Sequence, residues 1–344
     1  MTSTMRAAVM RERRLIVGDV PIPEPGPGEV LVKTLACGIC GSDLHALKHA
    51  DRFAALYRRA DGTPIMDLAR DIVMGHEFCA EVVEYGPATA RRLPPGTRVC
   101  SMPVLARPEG RQTIGYSNEH PGGYAPYMRL TETLLLPVPN GLPTAHAALT
   151  EPMAVGLHAV NKARLAAGDA VYVAGCGPVG LAVIAALRLR DVRPIVAGDF
   201  SPRRRELAVV AGADTVVDPA VESPPWRDVT VVFECVGVPG VIDALMTAAP
   251  RGTRLVIVGV CMEPDTIHPL RGISKELALQ FVLGYDAEEF AATLRHLAEG
   301  AIPAAPFVTG AVGVDGVAGA FEALASPDRH AKIIVEPWRS TASG

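Results

Sequence analysis

The stretch CGICGSDLH, Cys37 to His45, places two cysteines, an acid, a serine and a histidine within nine residues. Thiols and imidazoles this close serve disulfide exchange, a structural metal clip or a catalytic metal site. A thioredoxin-like Cys-x-x-Cys belongs beside a βαβ pattern, whereas this one lies in a β-rich stretch. A four-cysteine zinc clip needs a second close pair, and the chain has none. Two further sites carry metal-binding types: Gly75-His76-Glu77 and Glu151-Pro152. Together, a cysteine, a histidine and a carboxylate from distant segments supply three ligands to one zinc. Three protein ligands leave a fourth position open, as a catalytic zinc requires.

A second motif points to a nucleotide. Gly175-Cys176-Gly177-Pro178-Val179-Gly180 fits G-x-G-x-x-G, follows the apolar run AVYVAG and opens a helical pattern. Gly175 permits the tight turn, Gly177 lets backbone approach a pyrophosphate, and Gly180 lets helix and strand pack closely. The helix N-terminus then faces phosphate charge. The next strand ends at Asp199, 19 residues after Gly180. A carboxylate there accepts from ribose hydroxyls and repels a 2′-phosphate, which favours NAD. Arg203 and Arg204 follow closely and keep NADP open.

The elements that must position these groups fall into two rhythms. Through about residue 150, short β-rich runs (VLVKTLACG, FCAEVVEYG, TRVCSMPV) alternate with turn-rich pieces (PIPEPGPGE, YGPAT, LPPGTR). Within them, Asp43 to Ala60 has helical spacing. From about 153, strands alternate with helices, including SPRRRELAVVAGA with its Ser-Pro start and AEEFAATLRHLAEG. That rhythm predicts a parallel, doubly wound sheet. A short helix near GVAGAFEALA and a strand AKIIVEP follow.

Composition sets limits. The 344 residues suggest about two domains. Apolar residues are 49%, charged residues 20%, and the net charge is −4, which points to neither nucleic acid nor a membrane surface. Ala170 to Leu187 is uncharged and as long as a short membrane span. Gly175, Gly177, Pro178 and Gly180 break it, so a buried strand–turn–helix explains it better. The first twenty residues lack the apolar core of a signal peptide. Seven scattered cysteines, an odd number, fit a reducing compartment. The expectation is a soluble cytoplasmic protein.

CGICGSDLH, GHE, EPMAVGLHA, GCGPVG, FECVG and VIVGV, in that order, resemble the zinc-dependent medium-chain dehydrogenase/reductase (alcohol dehydrogenase) family along essentially the whole chain. The resemblance implies an α/β chain with an all-β-rich second domain: a GroES-like catalytic domain over 1–152, a doubly wound Rossmann domain over 153–285, and a return to the catalytic domain over 286–344. It implies Cys40 and His76 as zinc ligands, with Glu151 or Glu77 as the third. Asp43 would orient the zinc-binding imidazole. Ser42 and His45 would be the inner and outer ends of a proton relay, and Cys37 a packing residue. Cys235, Val236, Val258, Gly259 and Val260 fall where relatives contact the nicotinamide half, and Lys332 where relatives carry a basic residue reaching the pyrophosphate. Arg204 joins the cofactor-binding candidates beside Pro178 and Val179. The implied activity is interconversion of an alcohol and its aldehyde or ketone with NAD, in a homodimer or homotetramer. Alternatives are a sorbitol-type polyol dehydrogenase, a zinc-free quinone or enoyl reductase, and a binding protein that lost catalysis.

Two departures stand out. The four-cysteine lobe of some relatives is replaced by LARPEGRQTIGYSNEH, without cysteine, which predicts one zinc and no structural zinc. Cys40 and His76 are 36 positions apart, more than is usual in the family. The excess lies within about Ala50 to Ile72 and is expected either to cover the substrate mouth or to form a surface or oligomer contact.

Overall fold

The computed structural model describes residues 3–58, 62, 65–107, 110–326 and 328–339. The chain divides into two compact units, one of residues 1–151, 308–325 and 332–344, the other of residues 152–307 and 326–331.

The first unit is built on β-sheet. A hairpin pairs β1 (Thr4–Arg11) with β2 (Arg14–Pro21), turning on Glu12 and Arg13, both with positive φ. The main sheet has β3 (Glu29–Gly38) at its centre. One edge of β3 pairs antiparallel with β4 (Glu77–Tyr85). β5 (Arg98–Cys100) extends from β4; β6 (Val104–Arg107) and β7 (Gly110–Thr113) form a separate hairpin. β8 (Tyr127–Thr131) pairs with the start of β3, and β9 (Leu136–Pro137) with β5. β3 is apolar at nearly every position, VLVKTLACG, because neighbours cover both its faces, and most of its residues are buried.

Directly after β3 the chain turns into α1 (Gly41–Lys48) and α2 (Ala50–Leu56). The expected continuous helix over 43–60 is broken at His49, whose φ of −119° and ψ of 38° are not helical; its last two residues, 59 and 60, lie outside the described ones.

The second unit carries six parallel strands: β10 (Val171–Ala174), β11 (Ile195–Gly198), β12 (Thr215–Val217), β13 (Val231–Glu234), β14 (Arg254–Ile257) and β15 (Ala278–Phe281). Their order, β12-β11-β10-β13-β14-β15, reverses direction between β10 and β13. Before β10 the chain forms α3 (Thr144–Ala147) and α4 (Thr150–Lys162). The crossover helices are α5 (Pro178–Leu189), α6 (Pro202–Ala211), α7 (Val241–Ala248) and α8 (Pro269–Lys275). α6 starts as the Ser-Pro pair predicts: Ser201 Oγ accepts from Arg204 N, and Pro202 occupies the first turn. In α9 (Ala287–Ala298), Asp286 and Glu289 form a reciprocal capping box.

The expected boundary at 285/286 is corrected. α9 belongs to the second unit, and the return to the first begins at β16 (Val308–Val312). The amphipathic face of α9 explains this: Phe290, Leu294 and Leu297 are buried, and Glu289 accepts from Asn161 of α4, all within the second unit. α10 (Val317–Leu324) and β17 (Lys332–Val335) close the first unit, with β17 pairing to the Cys37–Gly38 end of β3. None of the helices among the described residues is long and apolar enough to cross a membrane.

Candidate metal centre and dinucleotide turn

The end of β3, the start of β4 and β17 meet at one point of the first unit. Cys40 caps the N-terminus of α1, and His76 and Glu77 open β4. One ligand atom from each of Cys40, His76 and Glu77 lies within 4.8 Å of the others. A thiolate, an imidazole and a carboxylate at that separation are a zinc donor set.

Asp43, fully buried, holds the cluster from behind. Its Oδ2 accepts from Cys40 N at 3.0 Å and from the Tyr124 hydroxyl at 2.7 Å. Its Oδ1 accepts from the Tyr116 hydroxyl at 3.0 Å and stands 3.3 Å from His76 Nδ1. That separation is an ion-pair distance without hydrogen-bond alignment, so Nδ1 is a buried polar atom still lacking a hydrogen-bonded partner. With Nδ1 turned to a carboxylate, Nε2 is the nitrogen left for a metal, the arrangement that zinc-binding histidines adopt. The residues therefore fit zinc.

The charges of the cluster lean on one another. Burial alone would push the His76 pKa down, but Asp43 and Cys40 together raise it well above the ordinary value. Burial and then Glu77 raise the Cys40 thiol. A metal that takes these ligands must displace protons.

Glu77 is the most tightly held member. Lys332 Nζ donates to both its oxygens, at 2.7 and 2.8 Å, and to the Ile39 carbonyl at 3.0 Å. Burial would lower the lysine pKa, yet Glu77 raises it. The ammonium of Lys332, the basic residue expected to reach the pyrophosphate, is bonded here to the metal cluster of the first unit. The carboxylate fits only because residue 38 is glycine, since a Cβ there would lie 2.0 Å from Glu77 Oε2. Glu151, in the first turn of α4, falls outside the group of three, and its charge acts on Lys332.

The remaining members of the opening motif separate. Cys37 is fully buried and its thiol donates to Gly38 O. Ser42 Oγ lies 2.9 Å from the Tyr116 hydroxyl oxygen and 3.5 Å from His76 Nε2. His45, one helical turn beyond Ser42 on α1, is half-buried. Burial, then the charges of His49 and Lys48, lower its pKa, so it is neutral near pH 7 and able to accept a proton. Tyr116 and Tyr124 were not foreseen. They come from a stretch without motif, and only the fold turns their hydroxyls onto Asp43.

In the second unit the fingerprint turns from β10 into α5. Gly177 is the N-cap and Pro178 starts the helix, with Val179 after it. A Cβ on Gly180 would lie 1.9 Å from Gly175 O, so only glycine lets helix and turn close here. A Cβ on Gly177 would meet nothing nearer than the Arg204 guanidinium, at 3.9 Å. That face is open to a ligand and bordered by a cation. Asp199, at the end of β11, is pre-set: Oδ2 accepts from Cys176 N at 2.8 Å and Oδ1 from Ser201 N at 2.9 Å. Arg204 Nη1 stands 3.9 Å from Asp199 Oδ2, whereas Arg203 pairs with Glu206 on the surface. The turn fits a dinucleotide.

Cys235, Val236, Val258, Gly259 and Val260 follow β13 and β14 at the same carboxyl edge of the sheet, beside the reversal of strand order where open α/β sheets take ligands. Glu234, also unforeseen, ties these two turns together. Its Oε1 accepts from Val236 N and Gly237 N at 2.7 and 2.8 Å, and its main-chain carbonyl from Val258 N and Gly259 N, each at 2.9 Å.

Known proteins match this architecture. The alcohol dehydrogenase GroES-like domain matches residues 26–140, and the zinc-binding dehydrogenase domain matches residues 178–299. The chain is 33% identical to (R,R)-butanediol dehydrogenase of Bacillus subtilis over 97% of its own length and all of the relative's. It is 30% identical to sorbitol dehydrogenase of Bos taurus, covering 85% of this chain and 84% of the relative. The crystal structure of 2R,3R-butanediol dehydrogenase from Bacillus subtilis superposes with a TM-score of 0.82 at 31% identity, covering 97% of this chain and 99% of that one. A zinc-binding dehydrogenase from Sinorhizobium meliloti bound to NADP gives 0.81 at 28% identity, covering 97% of this chain and 100% of that one. The chain belongs to the zinc-dependent medium-chain alcohol dehydrogenase family, enzymes that interconvert alcohols and carbonyl compounds.

Proposed function

We propose that this enzyme oxidises a vicinal diol or polyol at a secondary carbinol, or reduces the matching ketone, with one catalytic zinc and NAD. The observation that carries the zinc assignment is the buried group Cys40, His76 and Glu77, backed by Asp43. Relatives named for butanediol and sorbitol support the substrate class.

When bound, zinc supplies a Lewis acid for the substrate oxygen, and the nicotinamide supplies a hydride acceptor. Cys40, His76 and Glu77 are the proposed ligands, with Glu151 the runner-up for the third place. Replacing Glu77 or Glu151 singly by Gln and measuring zinc content decides between them. Ser42 Oγ takes the alcohol proton as its own hydroxyl proton leaves toward His45, which is uncharged near neutrality and is the group that meets solvent. Asp43 keeps His76 turned so that Nε2 points to the metal.

For the cofactor, Asp199 sits where ribose hydroxyls are read, with both oxygens already oriented, which supports NAD. Arg204 is the cation that would receive a 2′-phosphate. Asp199→Gly is expected to shift the ratio of kcat/KM values toward NADP; an unchanged ratio would mean that Arg204 dominates.

One zinc is proposed because the stretch replacing the cysteine lobe has no thiol and is tied down by charge: Arg107 pairs with buried Glu29 at 2.7 Å. A homodimer is proposed across the free edge of β15, where Phe281 is 64% exposed and Leu283 78%.

The test is a substrate panel with purified zinc-loaded enzyme and both cofactors. Butane-2,3-diol and sorbitol should exceed primary alcohols in kcat/KM with NAD. A preference for ethanol would remove the diol assignment.

A further inference from the structure

The extra chain between Cys40 and His76 begins with α2, and α2 points inward. Phe53 on this helix is 4% exposed. Its ring lies 5.1 Å from that of Tyr116, and the Tyr116 ring lies 5.3 Å from that of His76. Tyr116, 7% exposed, is thus gripped between the extra helix and a zinc-ligand candidate. The segment is fastened on its other side. Arg13 bonds Asp51 at 2.6 Å, Arg11 bonds Asp71 through two nitrogens, and Asn118 takes Asp67 N at 2.8 Å.

Counting protons orders the polar chain. The Tyr116 oxygen is 2.9 Å from Ser42 Oγ and 3.0 Å from Asp43 Oδ1. A phenol has one proton to donate, and an ionised carboxylate only accepts. The charged acceptor takes it, because charge-assisted hydrogen bonds are the stronger ones. Ser42 then turns its own proton onto the Tyr116 oxygen. That leaves the Ser42 lone pairs turned to the substrate; as Oγ gains the substrate proton, the hydroxyl proton that Tyr116 holds at rest leaves toward His45, so that Ser42 stays neutral.

We propose that Tyr116 is a positioning residue that sets the direction of the Ser42 hydroxyl and anchors Asp43, and that α2 holds it through Phe53. The extra segment is thereby an internal brace of the proton-transfer site. This rests on the reading of Ser42 as the proton acceptor.

Tyr116→Phe keeps the ring and removes only the hydroxyl. It is expected to lower kcat about 10-fold with KM within about 2-fold, since the lost contact acts in the transition state. The solvent deuterium effect on kcat should rise. Zinc release to a chelator should quicken by up to about 10-fold, the range for groups that orient a metal ligand. Phe53→Ala should move the same quantities the same way, and the double variant should be no worse than Tyr116→Phe alone. In a Ser42→Ala background, Tyr116→Phe should add no further loss of kcat. Additive losses in either pair overturn the proposal, as does Tyr116→Phe with unchanged kcat and unchanged zinc release. The release measurement needs no substrate, so an unchanged rate overturns the anchoring of Asp43 even where the substrate reading fails. Where Phe53→Ala does not fold, Phe53→Leu fills the space and is read in the same way.

Discussion

Around His76, side chains from α1, the start of β4, two loops and β17 reach one another by hydrogen bonds and charge; around Gly177, the chain offers main-chain groups and empty space. The first region is a network of buried polar atoms, Asp43, Tyr116, Tyr124, Glu77 and Lys332 among them. The second is a turn in which the missing Cβ of Gly180 makes room and Asp199 fixes two amides. In the network each group is held by the charge of another, so a change of chemistry without a change of size should be felt. In the turn, shape is what matters, so a single added methyl should be felt and changes of side-chain chemistry should matter less.

Cys40→Ser tests the first half most severely. The change is nearly isosteric, yet it should remove zinc and lower kcat by about 10³-fold or more, because the metal contributes several kcal/mol to the transition state. Zinc content by atomic emission and NADH formation should fall together; retention of both would break the assignment. Lys332→Met comes next. It leaves Glu77 buried without its partner, which costs about 3–5 kcal/mol. In chelator-treated protein the urea midpoint of the catalytic unit should drop accordingly. An unchanged midpoint would mean that the Lys332–Glu77 pair adds nothing to the stability of that unit.

The turn should respond to volume. Gly180→Ala forces a Cβ to 1.9 Å from Gly175 O and should abolish NADH binding and lower the melting temperature. Gly177→Ala has space for its methyl within the fold, so the melting temperature should hold while the Kd for NADH rises about 10-fold. Equal effects of the two substitutions on stability would erase the distinction between packing and ligand approach. The smallest effect is expected at Cys176. Burial, then Asp199, push its thiol up to about 12, so it stays protonated through pH 9. Iodoacetamide should leave it unmodified in the folded protein, as mass spectrometry of the peptides would show.

Legibility followed the same division. Gly175, Gly177, Gly180 and Asp199 were readable because the constraint is local: a strand, a turn and a helix within thirty residues demand those types at those spacings. Cys40, His76 and a carboxylate were readable as types, but which carboxylate stands beside the other two was not. Of their partners, Asp43 was named through the family resemblance; Tyr116, Tyr124 and the pairing of Lys332 with Glu77 were not readable. Tyr116 and Tyr124 lie in a stretch with no periodic or motif signal, and Lys332 in an ordinary apolar strand. The helix of the extra segment was visible by its apolar spacing, yet neither the break at His49 nor the inward turn of Phe53 was. The boundary at 307 was hidden because α9 and α10 have the same amphipathic character, and only packing assigns each to a unit.

The sequence by itself determined the two rhythms of strand and helix, the glycine turn, the acid at the end of the next strand and the donor types for zinc. These follow from short-range sterics and periodicity, which act within a few turns of chain. Only the tertiary structure decided that Glu77 stands within 4.8 Å of Cys40 and His76, that Lys332 grips Glu77, and that Phe53 backs Tyr116. The last two contacts join residues 255 and 63 positions apart, and a buried charge takes whichever partner the packing brings within reach, a choice that no local pattern encodes.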